Sequence, residues 1–289
     1  MTKLTKTTLE VEAPAKVNVC LVVTGRRPDG YHNVATVMAP LALADRLTIT
    51  VDAGRGLTVR GDGPGCPPDE KNLAGQAALA FLAAAGVEAC LDLHLVKNVA
   101  VGAGLGGGSS DAAATLLALN GHFGRPLGDD KLWRLARRLG SDVPFFLAGG
   151  WAFASGRGEY VTRVRGPREV QLLLASPDRG IPTARVYRAL EPSDLAANAD
   201  PCWEVLARLE EEAEAWWEAG VNTLEAPALR LFPVLAELKA ALAELGYENA
   251  RLSGSGGTFV APRGEERTAR EAQEALTARG YRVALTATR

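Results

Sequence analysis

At 289 residues the chain can bury a sizeable core and is long enough for two domains. Its net charge of −2 supplies no attraction toward nucleic acid or an anionic membrane. No apolar run reaches the roughly 18 residues that span a bilayer, and Met1–Lys6 is too polar for a signal peptide. The four cysteines (Cys20, Cys66, Cys90, Cys202) and three histidines (His32, His94, His122) are scattered, with no Cys-x-x-Cys pair. That excludes a disulfide framework and a protein-built zinc site, and the expectation is a reduced, cytoplasmic protein.

In chain order, Leu9–Ala13 and Lys16–Val23 read as strands around a turn at Pro14, the second with strand-type alternation. Lys16 at its start suits a solvated strand end, although Lys16 beside Asn18 after Ala-Pro-Ala is less ordinary. The loop Gly25–His32 carries two arginines and the rings of Tyr31 and His32, and it reads either as a plain hairpin or as a binding loop. Val34–Met38 and Leu43–Val51 continue the strand series, and Leu57–Arg60 suits an edge strand. Asp69–Ala85 has helical periodicity, stopped by Gly86, and Leu91–Val96 alternates like a strand.

That strand feeds Val101-Gly102-Ala103-Gly104-Leu105-Gly106-Gly107-Gly108-Ser109-Ser110-Asp111, where five of the seven residues from 102 to 108 are glycine. Glycine alone lets bare backbone press against a ligand. The glycines run into three N-cap residue types and then a strong helix former, so amide N–H groups and a helix dipole face outward. The guest this suits is a phosphate; a tight turn without a ligand would not need so many glycines. The P-loop pattern fails because no lysine lies between Lys97 and Lys131. Gly102, Gly104 and Gly107 satisfy G-x-G-x-x-G literally, but the acidic pair Asp129–Asp130 opens a helix and closes no strand, so the dinucleotide match is weak.

A helix over Asp129–Leu139 follows, then the non-helical Gly140-Ser141-Asp142-Val143-Pro144-Phe145-Phe146. Asp142 is there either a cap or a placed functional carboxylate. Trp151–Ser155 and Glu159–Arg163 form a hairpin across Gly156-Arg157-Gly158. At Gly166-Pro167 the pattern restarts, which divides the chain into domains 1–165 and 166–289. The second runs through strand Val170–Ala175, helix Thr183–Leu190, an acidic helix Trp203–Trp217, helix Pro233–Leu245, strand Asn249–Leu252 and the glycine cluster Gly254-Ser255-Gly256-Gly257. Strand Thr258–Ala261, helix Glu265–Arg279 and strand Tyr281–Leu285 complete an α+β unit of ferredoxin type.

Pro14-Ala15-Lys16-Val17-Asn18, the Gly102–Asp111 loop and Leu252-Ser253-Gly254-Ser255-Gly256-Gly257, in that order, resemble the GHMP kinase superfamily of small-molecule ATP-dependent kinases. Gly25–His32, Gly104–Ala113 and Leu139–Phe146 resemble the branch acting on a CDP-linked methylerythritol in the non-mevalonate isoprenoid pathway. The resemblance implies an α+β two-domain fold, a ribosomal-protein-like N-terminal domain before a ferredoxin-like one. It implies transfer of the ATP γ-phosphoryl group to the 2-hydroxyl of that substrate, with magnesium arriving on ATP. It makes Asp142 the catalytic base and Lys16 its cationic neighbour. Asn72, Lys97, Ala100, Val101, Gly102, Ala103, Gly104, Leu105, Gly106, Gly107, Gly108, Ser109 and Ser110 become the ATP site. Asn18, Tyr31, His32, Thr183 and Tyr187 become the substrate site, with Tyr31, His32 and Tyr187 at the cytosine end. Ala100 stands where the family usually has proline, and no acidic partner for a magnesium-binding loop serine is evident. The competing readings are a superfamily kinase for another alcohol, disfavoured by Tyr31-His32, a dinucleotide-binding oxidoreductase, and an RNA-binding module, disfavoured by the charge.

Overall fold

The computed structural model describes residues 5–62, 66, 71–211 and 216–289. The chain begins with two long strands, β1 (Thr7–Arg26) and β2 (His32–Asp52), followed by β3 (Gly56–Asp62). Helix α1 (Leu73–Ala85) leads to β4 (Cys90–Val96), and then come α2 (Gly107–His122), α3 (Asp129–Leu139) and the short α4 (Val143–Ala148). The hairpin β5 (Ala152–Ser155) and β6 (Tyr160–Arg163) precedes β7 (Gln171–Ser176) and α5 (Thr183–Arg188). After a 3-10 turn at Pro192–Asp194 come α6 (Asp200–Glu210), α7 (Trp216–Ala219), α8 (Glu225–Leu231) and α9 (Pro233–Glu244). Strands β8 (Arg251–Leu252) and β9 (Phe259–Pro262), helix α10 (Glu266–Ala278) and β10 (Arg282–Ala287) end the chain.

These elements form two compact units that interleave along the sequence: residues 1–15, 43–101 and 106–149 make one, and 16–42, 102–105 and 150–289 the other. In the first, the end of β2 pairs antiparallel with β4, and β4 pairs in parallel with β3. Leu47, Ile49, Val51, Leu91, Leu93 and Leu95 alternate along these strands and are fully or almost fully buried, as one covered sheet face requires. Phe81 of α1, Leu116 and Leu119 of α2 and Phe145 of α4 are the large side chains of the same core.

In the second unit the start of β2 pairs with β5, and β5 with β6, all antiparallel. A separate antiparallel sheet has the order β10-β7-β9-β8. With α9 before β8 and α10 between β9 and β10, this is the ferredoxin-like arrangement expected from the sequence. Leu173, Leu235, Leu238, Leu242, Phe259 and Leu276 build its core.

Several expected boundaries are corrected. No turn forms at Pro14, and β1, paired with β2, runs through it. The break expected between Met38 and Leu43 is likewise absent, because Pro40 falls between the β2 residues paired with β5 and those paired with β4. The helix expected over Trp203–Trp217 starts instead at Asp200 and stops at Glu210, where the glutamates 210 and 211 oppose the helix dipole at its carboxyl end. Residues 212–215 of that span lie outside the described residues, as do Met1–Leu4 and the expected helix start at Asp69. Trp203 is half exposed and stacks on Phe153 at 4.6 Å, while Trp216 and Trp217 are buried edge-to-face. Helix α8 was not legible, being short with Pro227 in its first turn. All four cysteines are free thiols; Cys20 and Cys202 are buried with their sulfurs 3.1 Å apart.

The α2–α3 connection is braced by buried Asn120, whose amide donates to Leu127 O and accepts from Leu127 N, both at 3.0 Å. Asn120→Ala strands both backbone groups and should cost about 2 kcal/mol. A calorimetric Tm lower by about 4–8 °C is the expected reading.

Candidate active site

Gly102, Gly104 and Gly106 have φ of 73°, 82° and 72°, a left-handed conformation that side chains rarely adopt. The carbonyls of this loop are drawn inward: Gly102 O accepts from Ile181 N, Ala103 O from Thr258 Oγ1 and Leu105 O from Lys16 N. Among the described residues, no amide from Val101 to Gly108 donates in a turn or loop bond. A Cβ on Gly104 would meet Ser253 O at 2.5 Å, and one on Gly256 would meet Gly104 N at 2.2 Å. The two glycine clusters therefore touch backbone to backbone.

Helix α2 starts at Gly107, capped by Gly106 with no side-chain bond. Ser109, Ser110 and Asp111, expected as the cap, lie inside the first turn. Left-handed Gly106 lets the helix begin early, and a Cβ added to Gly107 would lie 3.1–3.3 Å from Val99 and Asp45, so a larger residue would crowd them. The first-turn amides of this 16-residue helix are left without a side-chain cap. Ala103 and Leu105 are buried anchors of the loop, whereas Val101 is exposed.

Beneath the helix, in the first unit, the Lys97 ammonium bonds Asp45 and, at 2.6 Å, Asp111. Asp45 Oδ1 also accepts from the amides of Asn98 and Val99, at 2.6 and 2.8 Å. Burial opposes the charge on Lys97, but the carboxylates of Asp111 and Asp45 outweigh it and raise the ammonium above the ordinary lysine range. At Asp111 burial outweighs the Lys97 ammonium and lifts the carboxyl to about 6. Asp111 Oδ1 and Ser110 Oγ are buried without a partner. Neither Asp45 nor Asp111 was singled out from the sequence, because nothing local marks a charge whose partner is 52 residues away.

In the same unit Asn72 is the N-cap of α1, its Oδ1 accepting from Ala74 N at 3.0 Å. Asp142 stands at the N-cap of α4, which was expected to be non-helical; Pro144 in the first turn suits a helix start. Its side chain makes no capping bond to α4. The preceding Gly140 lies against Ser109, where an added Cβ would be 3.7 Å from the Ser109 Oγ. The Asp142 turn is thus packed beside the first turn of α2.

In the second unit Lys16 and Asn18 are buried, not a solvated strand end. Lys16 Nζ donates to Asn18 Oδ1 at 2.5 Å, and Asn18 N donates to Ser253 Oγ at 3.1 Å. The rings of His32 and Tyr187 are 5.4 Å apart, and Tyr31, half exposed, carries the Arg157 guanidinium 4.6 Å from its ring centroid. Burial, then the charge of Arg26, pushes the His32 imidazole below the usual histidine range, so it is neutral at pH 7. Thr183 Oγ1 accepts from Ser255 Oγ at 2.9 Å. Arg157, Ser253, Ser255 and Gly256 were not assigned roles from the sequence, although the Ser-Gly-Ser-Gly-Gly run was visible there.

The GHMP kinases N terminal domain matches residues 72–150, and the GHMP kinases C terminal domain residues 203–282. A 4-diphosphocytidyl-2-C-methyl-D-erythritol kinase of Thermus thermophilus is 43% identical over 274 residues, 94% of this chain and 94% of the relative. The chain belongs to the GHMP kinase family. A crystal structure of 4-(cytidine 5'-diphospho)-2C-methyl-D-erythritol kinase matches this GHMP kinase with a TM-score of 0.81 at 40% identity, over 97% of this chain and 99% of that one. Homoserine kinase from Cytophaga hutchinsonii shares the fold, with a TM-score of 0.75 at 17% identity over 100% and 96% of the two chains.

Two outcomes are expected. Gly256→Ala forces Gly104 out of place, because the new Cβ meets backbone that cannot swing aside. Calorimetry should show ATP affinity reduced roughly tenfold or more, about 1.4 kcal/mol, in a protein with an unchanged circular dichroism spectrum. The second concerns pH. An acid whose folded pKa is raised, from 3.8 to about 6 at Asp111, opposes folding when ionised and gains stability as the pH falls through that window. Wild type should therefore gain Tm relative to Asp111→Asn as the pH falls from about 6 to about 4, with the steepest change near 5.

Proposed function

We infer that this GHMP kinase uses ATP to phosphorylate the 2-hydroxyl of 4-diphosphocytidyl-2-C-methyl-D-erythritol, a step in non-mevalonate isoprenoid precursor synthesis. The activity itself is carried by relatives of that name matching nearly the full chain. The observation that carries the chemistry is the glycine loop, its carbonyls tied back and its helix N-terminus uncapped. Such a loop holds phosphates by backbone N–H groups and the helix dipole.

The residue roles are our proposal. The acceptor is a tertiary alcohol, a poor nucleophile, and Asp142 takes its proton as the bond to phosphorus forms. The absence of a capping bond supports this, since the carboxylate is not employed in starting α4. Lys16 offsets negative charge on the transferring phosphoryl group. Asn72 and residues 100–110 receive the nucleotide, with Lys97 acting as the strut that ties Asp45 and Asp111 beneath α2. Magnesium accompanies ATP; Ser110 Oγ and Asp111 Oδ1, buried oxygens without partners, are hard donors of the type it takes, and its charge would neutralise the phosphates. The neutral His32 imidazole, paired with Tyr187, offers one donor and one acceptor to a cytosine edge, with Tyr31 and Thr183 nearby in sequence and fold.

Other acceptors of the superfamily, such as sugars, homoserine or mevalonate, carry no nucleobase, and the His32–Tyr187 ring pair disfavours them. The net charge of −2 and the lack of any membrane-length apolar helix among the described residues support a protein of the cytoplasm working on small molecules.

The test is incubation with ATP, magnesium and the CDP-linked alcohol, followed by mass spectrometry of the phosphorylated product. Asp142→Asn should lower kcat by roughly 10²–10⁴ while leaving KM for both substrates near wild type. A fully active, merely less stable Asp142→Asn enzyme would remove the base assignment.

A further inference from the structure

Lys16 reaches its position through a chain of buried polar groups that begins on the neighbouring strand. Thr36, on β2, is almost fully buried, and its hydroxyl donates to Cys20 O at 2.7 Å. A hydroxyl has one proton and a carbonyl can only accept, so toward any third group Thr36 Oγ1 can only accept. Asn18 meets it at 2.8 Å and must therefore present its amide nitrogen. With Nδ2 committed to Thr36, Oδ1 is the end left for the Lys16 ammonium, which can only donate. The two ends of the Asn18 side chain thus select the same orientation, and the reverse one would set NH₂ against NH₃⁺.

The surroundings hold the chain from both sides. Asn18 N is anchored on fully buried Ser253, and the 252–254 segment is itself fixed by Asn222 Nδ2, bonded at 2.7 Å to both Leu252 O and Gly254 O. Gly254, at φ 62°, closes over the pair; a Cβ there would lie 3.1 Å from Asn18 Oδ1 and 3.5 Å from Lys16 Nζ. All of these groups belong to one compact unit.

We propose that Thr36 is a positioning residue for the kinase reaction: it sets the orientation of the Asn18 amide, and through it aims the Lys16 ammonium. One lone pair and one N–H of the Asn18 amide are thereby committed to holding the ammonium in place. The inference rests on the role given to Lys16 above.

Thr36→Val keeps the shape and β-branching of a strand residue but removes the acceptor for Asn18 Nδ2 and the donor to Cys20 O. An ammonium displaced by a fraction of an ångström to an ångström should lower kcat by about 10- to 100-fold, with KM for ATP and for the CDP-linked alcohol within about twofold of wild type. Thr36→Ser retains the hydroxyl and should recover kcat to within about threefold. Should the valine variant fail to fold, Thr36→Ala deletes the same hydroxyl and is assayed identically. A folded hydroxyl-less variant with wild-type kcat, or a serine variant as impaired as the valine one, overturns the proposal. Lys16→Ala is measured beside them. Unchanged kcat there overturns the reading of Lys16 and the inference with it, whereas a large loss in Lys16→Ala alongside a normal Thr36→Val overturns the inference alone.

Discussion

The close approach of Gly104 and Gly256 is the constraint on which the second unit depends. A methyl group on Gly256 would sit 2.2 Å from Gly104 N, so the contact exists only because neither residue has a side chain. That contact lets Thr258 reach Ala103 O and brings Ser253 and Gly254 over Lys16 and Asn18. One glycine-to-glycine meeting thus shapes the glycine loop and roofs the buried lysine. Glycine carries a high entropic cost in an unfolded chain, and that cost is accepted here at points 152 residues apart.

Charge is handled differently in the two units. In the first, one ammonium is shared by two buried carboxylates, and burial weakens the acidity of Asp111. Burying charge is tolerated when the geometry satisfies it, and two backbone amides complete the satisfaction of Asp45. In the second, the Lys16 ammonium donates to the neutral amide oxygen of Asn18.

The fold was legible where local pattern and final structure agree. The ferredoxin-like unit followed from the alternation of strands and helices after Gly166, and the observed order β10-β7-β9-β8 matches it. Element boundaries failed where the deciding fact was a partner elsewhere. Pro14 and Pro40 look like breaks, yet β1 and β2 run through them, Pro40 falling between the β2 residues paired with β5 and those paired with β4. The acidic end of α6 was visible, but helical periodicity across it masked the stop.

Residue type and spacing by themselves marked the glycine loop before a helix, the unusual Lys16 beside Asn18 and the ring-bearing loop at Tyr31 and His32. Each rests on chemistry that a short stretch carries alone: glycine φ freedom, a charge next to an amide in an apolar strand, rings in a polar turn. Only tertiary structure decided that Asp142 stands at a helix start without capping it, that Asp45 and Asp111 share Lys97, and that Thr36 orients Asn18. These are relations between groups 14 to 52 residues apart, or facts about an orientation, and they depend on which backbone donors and acceptors folding leaves unclaimed. No local pattern encodes that remainder, because it is set by the pairing of every other strand and helix around it.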